Sequence, residues 1–184
     1  MNRSYEMRGS FRNRIRSLIC LLLVVGISGF FCACSSDNAK NKDLGDYHKY
    51  LGDYYYDCTI SAMVFETPDG EEMPGVLYRQ VTDLDALVKT CPIPVCYLFY
   101  SGMHADVYGL FACIEELVEQ YHEKVLIVTI DGLAEKDVSK AYKIESMPEA
   151  IIIRNGVQSA RFNGSERDEW TASDLANWIL AQVK

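Results

Sequence analysis

Two short runs, VCYLFY (95–100) and VLIVTI (125–130), are apolar at almost every position. A strand buried on both faces shows no alternation, so these runs predict central strands of a sheet covered on two sides. Between them Leu110, Ile114, Leu117, Val118 and Tyr121 recur at helical spacing, which predicts an amphipathic helix over about residues 107–122. Leu84, Leu87 and Val88 form a shorter helical face, opened by Thr82 with Asp85 three residues on, the spacing of a capping box. Val138, Ala141 and Tyr142 mark a short third helix. Thr171 with Asp174 caps a last one carrying Leu175, Trp178, Ile179 and Val183. AIIIR (150–154), Asn155-Gly156 and VQSARF read as a hairpin, since Asn-Gly supplies the left-handed backbone of a two-residue turn. Upstream, ISAMVFET and VLYRQV flank Pro68-Asp69-Gly70 and read as two strands with a turn. From residue 76 strands and helices alternate and the chain closes on a hairpin. That order predicts an α/β fold with a parallel core and an antiparallel edge.

The first 33 residues have a different character. Arg3, Arg8, Arg12, Arg14 and Arg16 stand against the single acid Glu6, and no charge occurs from Ser17 to Ala33. A basic stretch, a short apolar run and small residues at its end make a secretory signal. A permanent membrane span is the alternative, but it needs about 20 apolar residues, and this shorter run holds Gly26, Ser28 and Gly29. Cleavage after Ala33 by the ordinary small-x-small rule would leave Phe31 at the first small position. Phe31-Cys32-Ala33-Cys34 instead resembles the lipobox of bacterial lipoproteins, although Phe is an unusual first letter. The resemblance implies that Cys34 receives a diacylglycerol, becomes the mature N-terminus and tethers the chain to the membrane of a bacterial cell envelope, outside the cytoplasm.

The organisation that follows is a signal peptide over 1–33, a polar tether over 34–46, a Tyr-rich extension with a strand over 47–75, and a domain over 76–184. Clustered Tyr47, Tyr50, Tyr54, Tyr55 and Tyr56 read as a segment packed along the domain's flank, or as a sugar- or partner-binding face. The chain carries a formal charge of −8, and removing the signal makes the remainder more acidic still. Dispersed acids without clustered Lys/Arg argue against nucleic acid as a partner.

Once Cys20, Cys32 and Cys34 are set aside, Cys58, Cys91, Cys96 and Cys113 remain. An even number in an exported chain permits disulfides, and spacing does not rank the pairings. Cys96 and Cys113 fall on apolar positions and read as small buried hydrophobes, so Cys58 and Cys91 are the pair to test first. His48 and His122 are isolated, and no metal-ligand spacing, phosphate loop or nucleophile motif is present. No cofactor or metal is expected.

Over residues 76–184 the order of elements resembles the thioredoxin fold, a mixed central sheet flanked by helices, here with an N-terminal extension. VCYLFYS matches the strand that runs into the family's active site. SMPEAIIIRNGVQSARFNG (146–164) matches the stretch holding the family's cis-proline, which falls at Pro148. The resemblance implies that the residue before Pro148 receives substrate peptide; an ordinary strand-initiating proline is the alternative.

The family's chemistry needs a thiolate at a helix N-terminus, supplied by Cys-x-x-Cys. Aligned through IEELVEQY, those positions become His104 and Val107, in His-Ala-Asp-Val, with Met103 as the flanking residue and Leu98 where the family has a buried acid. Cys113 lies about 13 Å along the helix from His104, and Cys96 lies at the far end of its strand, about 20 Å away. Disulfide geometry needs Cα atoms within about 7 Å, so neither can stand in. Cys91-x4-Cys96 is a conceivable separate redox pair with nothing to activate it. His104 reads as an exposed residue filling a vacated site, or as a neutral hydrogen-bond donor beside Asp106. The expected function is a binding module whose groove includes Met103, His104, Asp106, Met147 and Pro148 and takes a protein or peptide partner. An extracytoplasmic thiol–disulfide oxidoreductase with non-standard cysteines is the competing expectation.

Overall fold

The computed structural model describes residues 46–54, 58–103 and 106–184. The signal, Cys34, the tether to residue 45, Tyr55, Tyr56 and His104 lie outside the described residues. Among the described residues, no helix is long and apolar enough to cross a membrane.

The two apolar runs form β4 (Val95–Tyr100) and β5 (Leu126–Asp131), paired in parallel from Val95–Leu126 to Tyr100–Asp131. On the other side of β4 lies β6 (Glu149–Arg154), antiparallel, with Phe99 opposite Glu149. Asn155 and Gly156 both take positive φ, 51° and 76°, and turn the chain into β7 (Val157–Asn163). That is the backbone an Asn-Gly hairpin turn requires.

Upstream, a 3-10 turn (Asp46–Tyr50) leads into β1 (Leu51–Tyr54), followed by β2 (Ile60–Glu66) and β3 (Gly75–Val81). The seven-stranded sheet runs β1-β3-β2-β5-β4-β6-β7. Here the predicted parallel core needs correction. β3, which leads into the first helix, does not touch β5, because β2 lies between them and is antiparallel to both. β4–β5 is the one parallel pair among the described strands. The Tyr-rich stretch thus contributes β1 at the edge and, just after it, β2 inside the sheet.

Helices cover both faces. On one face α1 (Leu84–Thr90) and α3 (Lys136–Ala141) lie over Val64, Tyr97, Phe99, Val128 and Ile151, with Tyr47 and Leu51 closing the edge. On the other, α2 (Val107–Tyr121) and α4 (Ala172–Val183) bury Ile114, Val118, Leu175 and Ile179 against Met63, Cys96, Leu98 and Ile152. The result is a three-layer α/β/α sandwich.

The caps divide in their agreement with the sequence pattern. Thr171 and Asp174 make the full capping box at α4, and the Thr171 bonds hold the Asp174 carboxyl below its usual range. At α1 the cap is Asp83, whose Oδ1 accepts from Ala86 N at 2.9 Å. Thr82 is occupied elsewhere: its N–H and its hydroxyl both donate to Tyr50 O, at 2.9 and 3.0 Å, extending the β1–β3 edge.

The position of β2 makes Met63, fully buried beneath α2, a test of whether this strand is integral. Met63→Ala is expected to lower stability by about 2–5 kcal/mol, the usual cost of emptying a buried site of this size. Urea denaturation measures it; a loss no larger than that of a surface substitution would reduce β2 to decoration.

Candidate functional site

Pairing in register brings four chain segments to one end of the sheet. β4 finishes at Tyr100 and β5 at Asp131, directly opposite each other. Because β6 is antiparallel to β4 and Glu149 faces Phe99, Pro148 enters the sheet level with Tyr100. β2 is antiparallel to β5 and starts at Ile60 opposite Ile130, so Cys58 and Thr59 arrive at this end too. Asp131 N donates to Thr59 O at 2.8 Å, and Gly132 N donates to Tyr100 O at 2.9 Å.

The Met147–Pro148 peptide is cis. Pro148 is buried and Met147 half-buried. Gly132 is what admits Met147: a Cβ there would come within 2.5 Å of Met147 Sδ. Tyr100, Gly132 and Met147 therefore form one continuous contact from the end of β4 to the cis-proline connection.

Across from it, the β4–α2 connection turns at Ser101, whose Oγ accepts from Met103 N at 3.2 Å. α2 begins at Val107 with Asp106 as its N-cap residue, yet the Asp106 side chain makes no capping bond. Its carboxylate lies over the first turn instead, where a Cβ on Gly109 would approach Oδ1 to 2.5 Å. Met103 and Tyr108 are 87% and 88% exposed, although each is large and apolar in body. Of the groove residues expected from sequence, Met103 and Asp106 thus stand on one connection, Met147 and Pro148 on the other, both at the carboxyl end of β4. His104 lies outside the described residues.

The thiols fall into two groups. All four described cysteines are free. The Cys58–Cys91 bridge is therefore a correction to the sequence reading, and topology supplies the reason. Cys58 enters β2 at the end where β4 finishes. Cys91 caps α1, donating to Leu87 O at 2.8 Å, just before β4 begins. The length of β4 separates these ends by about 20 Å, far beyond disulfide reach. Cys91 is buried, and burial pushes its thiol up to about 11; burial pushes the fully enclosed Cys96 thiol up further still. Neither is a nucleophile at neutral pH. Cys113 is half-buried on α2, its Sγ 3.9 Å from Ser173 Oγ. Cys58 is half-exposed and stands at the functional end. Among the described residues, no cluster of three His, Cys, Asp or Glu side chains is arranged to hold a metal ion.

One residue that the sequence pattern did not single out belongs here. Glu149, directly after Pro148, is fully buried and ion-paired with Arg161 on β7. Its Oε2 has no hydrogen-bond partner. Burial raises the carboxyl above its ordinary value, and the Arg161 charge offsets only part of that. The pairing depends on a register shift in the β6–β7 hairpin. Arg154–Val157 and Ile153–Gln158 follow from the turn, but beyond it Ile152 faces Ala160 and Ile151 faces Arg161. This one-residue slip carries Arg161 to the sheet face shared by Glu149, Ile151 and Ile153. Continuing the turn's register without the slip puts Arg161 on the opposite face, so no sequence spacing announces the pair.

The Thioredoxin family model matches residues 84–180. Chloroplastic thioredoxin Y of Oryza sativa subsp. japonica is 27% identical over 84 residues, covering 46% of this chain and 50% of that protein. The chain thus spans about half the length of this relative. Thioredoxin-1 of Drosophila yakuba is 23% identical over 94 residues, covering 50% of this chain and 88% of that protein. Among solved structures, mitochondrial thioredoxin 3 of Saccharomyces cerevisiae aligns at 18% identity and a TM-score of 0.45, covering 54% of this chain and 88% of that one. A mutant thioredoxin from Halobacterium salinarum aligns at 20% and 0.46, covering 56% and 85%. The family match takes in more than half of the chain, including the helix that starts beside Asp106 and the cis-proline strand, and the chain therefore belongs to the thioredoxin family.

Proposed function

We propose that this protein is an exported, membrane-tethered thioredoxin-fold module that binds an extended peptide or protein segment and lacks the family's redox pair. The observation that carries the reading is the rim at the carboxyl end of β4. Met103 and Tyr108 stand exposed on one side and the cis Met147–Pro148 connection on the other, and the sequence alignment through IEELVEQY puts His-Ala-Asp-Val at the family's thiol positions. Exposed Met and Tyr are adaptable, large contact surfaces of the kind that dominate binding energy. An extended segment would add backbone hydrogen bonds beside Pro148, as in other strand-like recognition. Leu98, fully buried in an apolar layer, removes the proton carrier that family chemistry would need beneath the site. The tether is assigned to Cys34, with the chain held at a bacterial envelope membrane.

One observation favours the competing reading of a thiol–disulfide oxidoreductase: Cys58 is half-exposed and shares the end of the sheet with Pro148. It is the one described cysteine at that end. A redox role would fall to it ahead of Cys91 or Cys96.

Three outcomes follow. Arrayed extended peptides are expected to bind the full chain, and Tyr108→Asp together with Met103→Asp is expected to weaken them about tenfold or more, the scale of a lost anchor; undiminished binding in that variant would remove the rim from the site. In a reductase assay on a disulfide-bonded protein, the chain and its Cys58→Ser variant should both run at background. Activity that vanishes with Cys58→Ser, Cys91→Ser or Cys96→Ser establishes the oxidoreductase reading. Intact mass of the processed chain is expected to show acyl chains on an N-terminus at Cys34 and none in Cys34→Ala; an unmodified N-terminus would exclude the anchor.

A further inference from the structure

We propose that Glu149 and Arg161 form a proton-operated latch on the 142–148 connection, tight when Glu149 is ionised and loosened when it is protonated. The latch goes beyond the groove reading and stands whatever the rim binds.

The connection leaves α3 at Tyr142, passes through Lys143 with a left-handed φ of 54°, and ends at Pro148. A single guanidinium grips both of its ends. Arg161 donates from Nη2 to Tyr142 O, from Nη1 to Lys143 O at 3.4 Å, and from Nη1 to Glu149 Oε1. The carbonyls are those left open at the end of α3, and the carboxylate is the first side chain after the cis-proline. Between these grips, Ser146 Oγ donates to Asn163 Oδ1 at 3.1 Å, fixing the middle of the connection to the end of β7.

Within this arrangement, Glu149 is the member whose charge changes, since guanidinium stays protonated throughout. Ionised, it holds Arg161 by a charge-assisted bond. Protonated, it offers Arg161 a neutral acceptor no better than water, and the Arg161 side chain is 28% exposed, so water competes for it. Oε2, the carboxyl oxygen without a hydrogen-bond partner, is the atom left to take the proton. The charged groups acting on Glu149 are Arg161 from β7, Glu145 from the connection and Glu166 from the turn after β7. From β4 its cross-strand partner is Phe99, whose ring packs near Tyr142 of the α3 end. Burial and the two acids raise the carboxyl, Arg161 lowers it, and burial prevails.

The consequence for stability has a definite sign. Below the ordinary glutamate range both folded and unfolded chains carry this proton. Between that range and the raised folded value only the folded chain does, so stability falls as pH rises through the window. One proton corresponds to about tenfold in the folding equilibrium per pH unit. The charge that tightens the connection thus costs the fold stability.

The test is an NMR titration of the full, isotope-labelled chain, following the Glu149 carboxyl carbon and hydrogen exchange at the amides of 142–148. Expected is a shared midpoint above the ordinary glutamate value, with faster exchange on the acid side. Glu149→Gln should exchange rapidly at every pH, whereas Glu145→Gln and Glu166→Gln should keep the transition. Should Glu149→Gln fail to fold, Arg161→Met leaves the carboxyl in place and is expected to show rapid, pH-independent exchange with a still higher Glu149 midpoint. Amides that stay protected while Glu149 titrates, or a transition that survives in Glu149→Gln or Arg161→Met, would overturn the latch.

Discussion

Val95–Tyr100 is held by parallel pairing with Leu126–Asp131 on one side and antiparallel pairing with Glu149–Ile153 on the other. Its residues from Val95 to Phe99 are buried on both faces of the sheet. No single layer can satisfy such a strand, so helices must cover both sides. The same pairings decide where function can stand. Parallel neighbours finish together, an antiparallel one begins where they finish, and Tyr100, Asp131 and Pro148 consequently meet at one level. The close contact of Gly132 with Met147 then converts that shared level into a continuous surface.

Within this frame the sequence was legible where local pattern and tertiary demand agree. The two apolar runs, the 3.6-residue recurrence of Leu110, Ile114, Leu117 and Val118, and the Asn155-Gly156 turn each carry their own physical reason. Legibility failed where the outcome depended on a distant partner. ISAMVFET reads as a strand wherever it is placed, and nothing in its residues says that it intrudes between β3 and β5. Thr82 has the spacing of a cap, but Tyr50 O, 32 residues earlier, takes its hydroxyl, and the neighbouring Asp83 caps the helix instead. Cys58 and Cys91 suggest a pair only by default of position, whereas the chain's path sends them to opposite ends of the sheet.

The site shows the same division more sharply. The position of Pro148, and the expectation that His-Ala-Asp-Val stands at the family's thiol positions, could be taken from residue identity alone. The position of a buried acid could not. Leu98 lies in the layer under α2 and α4, where the family keeps its carboxylate, and that layer is apolar throughout among its described core residues. Among the described residues, the buried carboxylate is that of Glu149, on the other face, next to the cis-proline and paired with Arg161.

A single irregularity supplies the countercharge that this position requires. Without the register shift between Ile152 and Ile153, Arg161 would face the layer of Ala150 and Phe162, and Glu149 would be enclosed with no countercharge, a state that burial alone makes untenable for an ionised group. With the shift, the guanidinium reaches Glu149 and the two carbonyls at the end of α3 together. β-Bulges re-aim side chains near sites, and here the re-aimed residue is not at the rim. It holds the connection that presents Met147 and Pro148. The geometry of the rim is therefore set from beneath, by a hairpin slip between Ile152 and Ile153 on the strand that Glu149 opens, and by whether that carboxylate is charged.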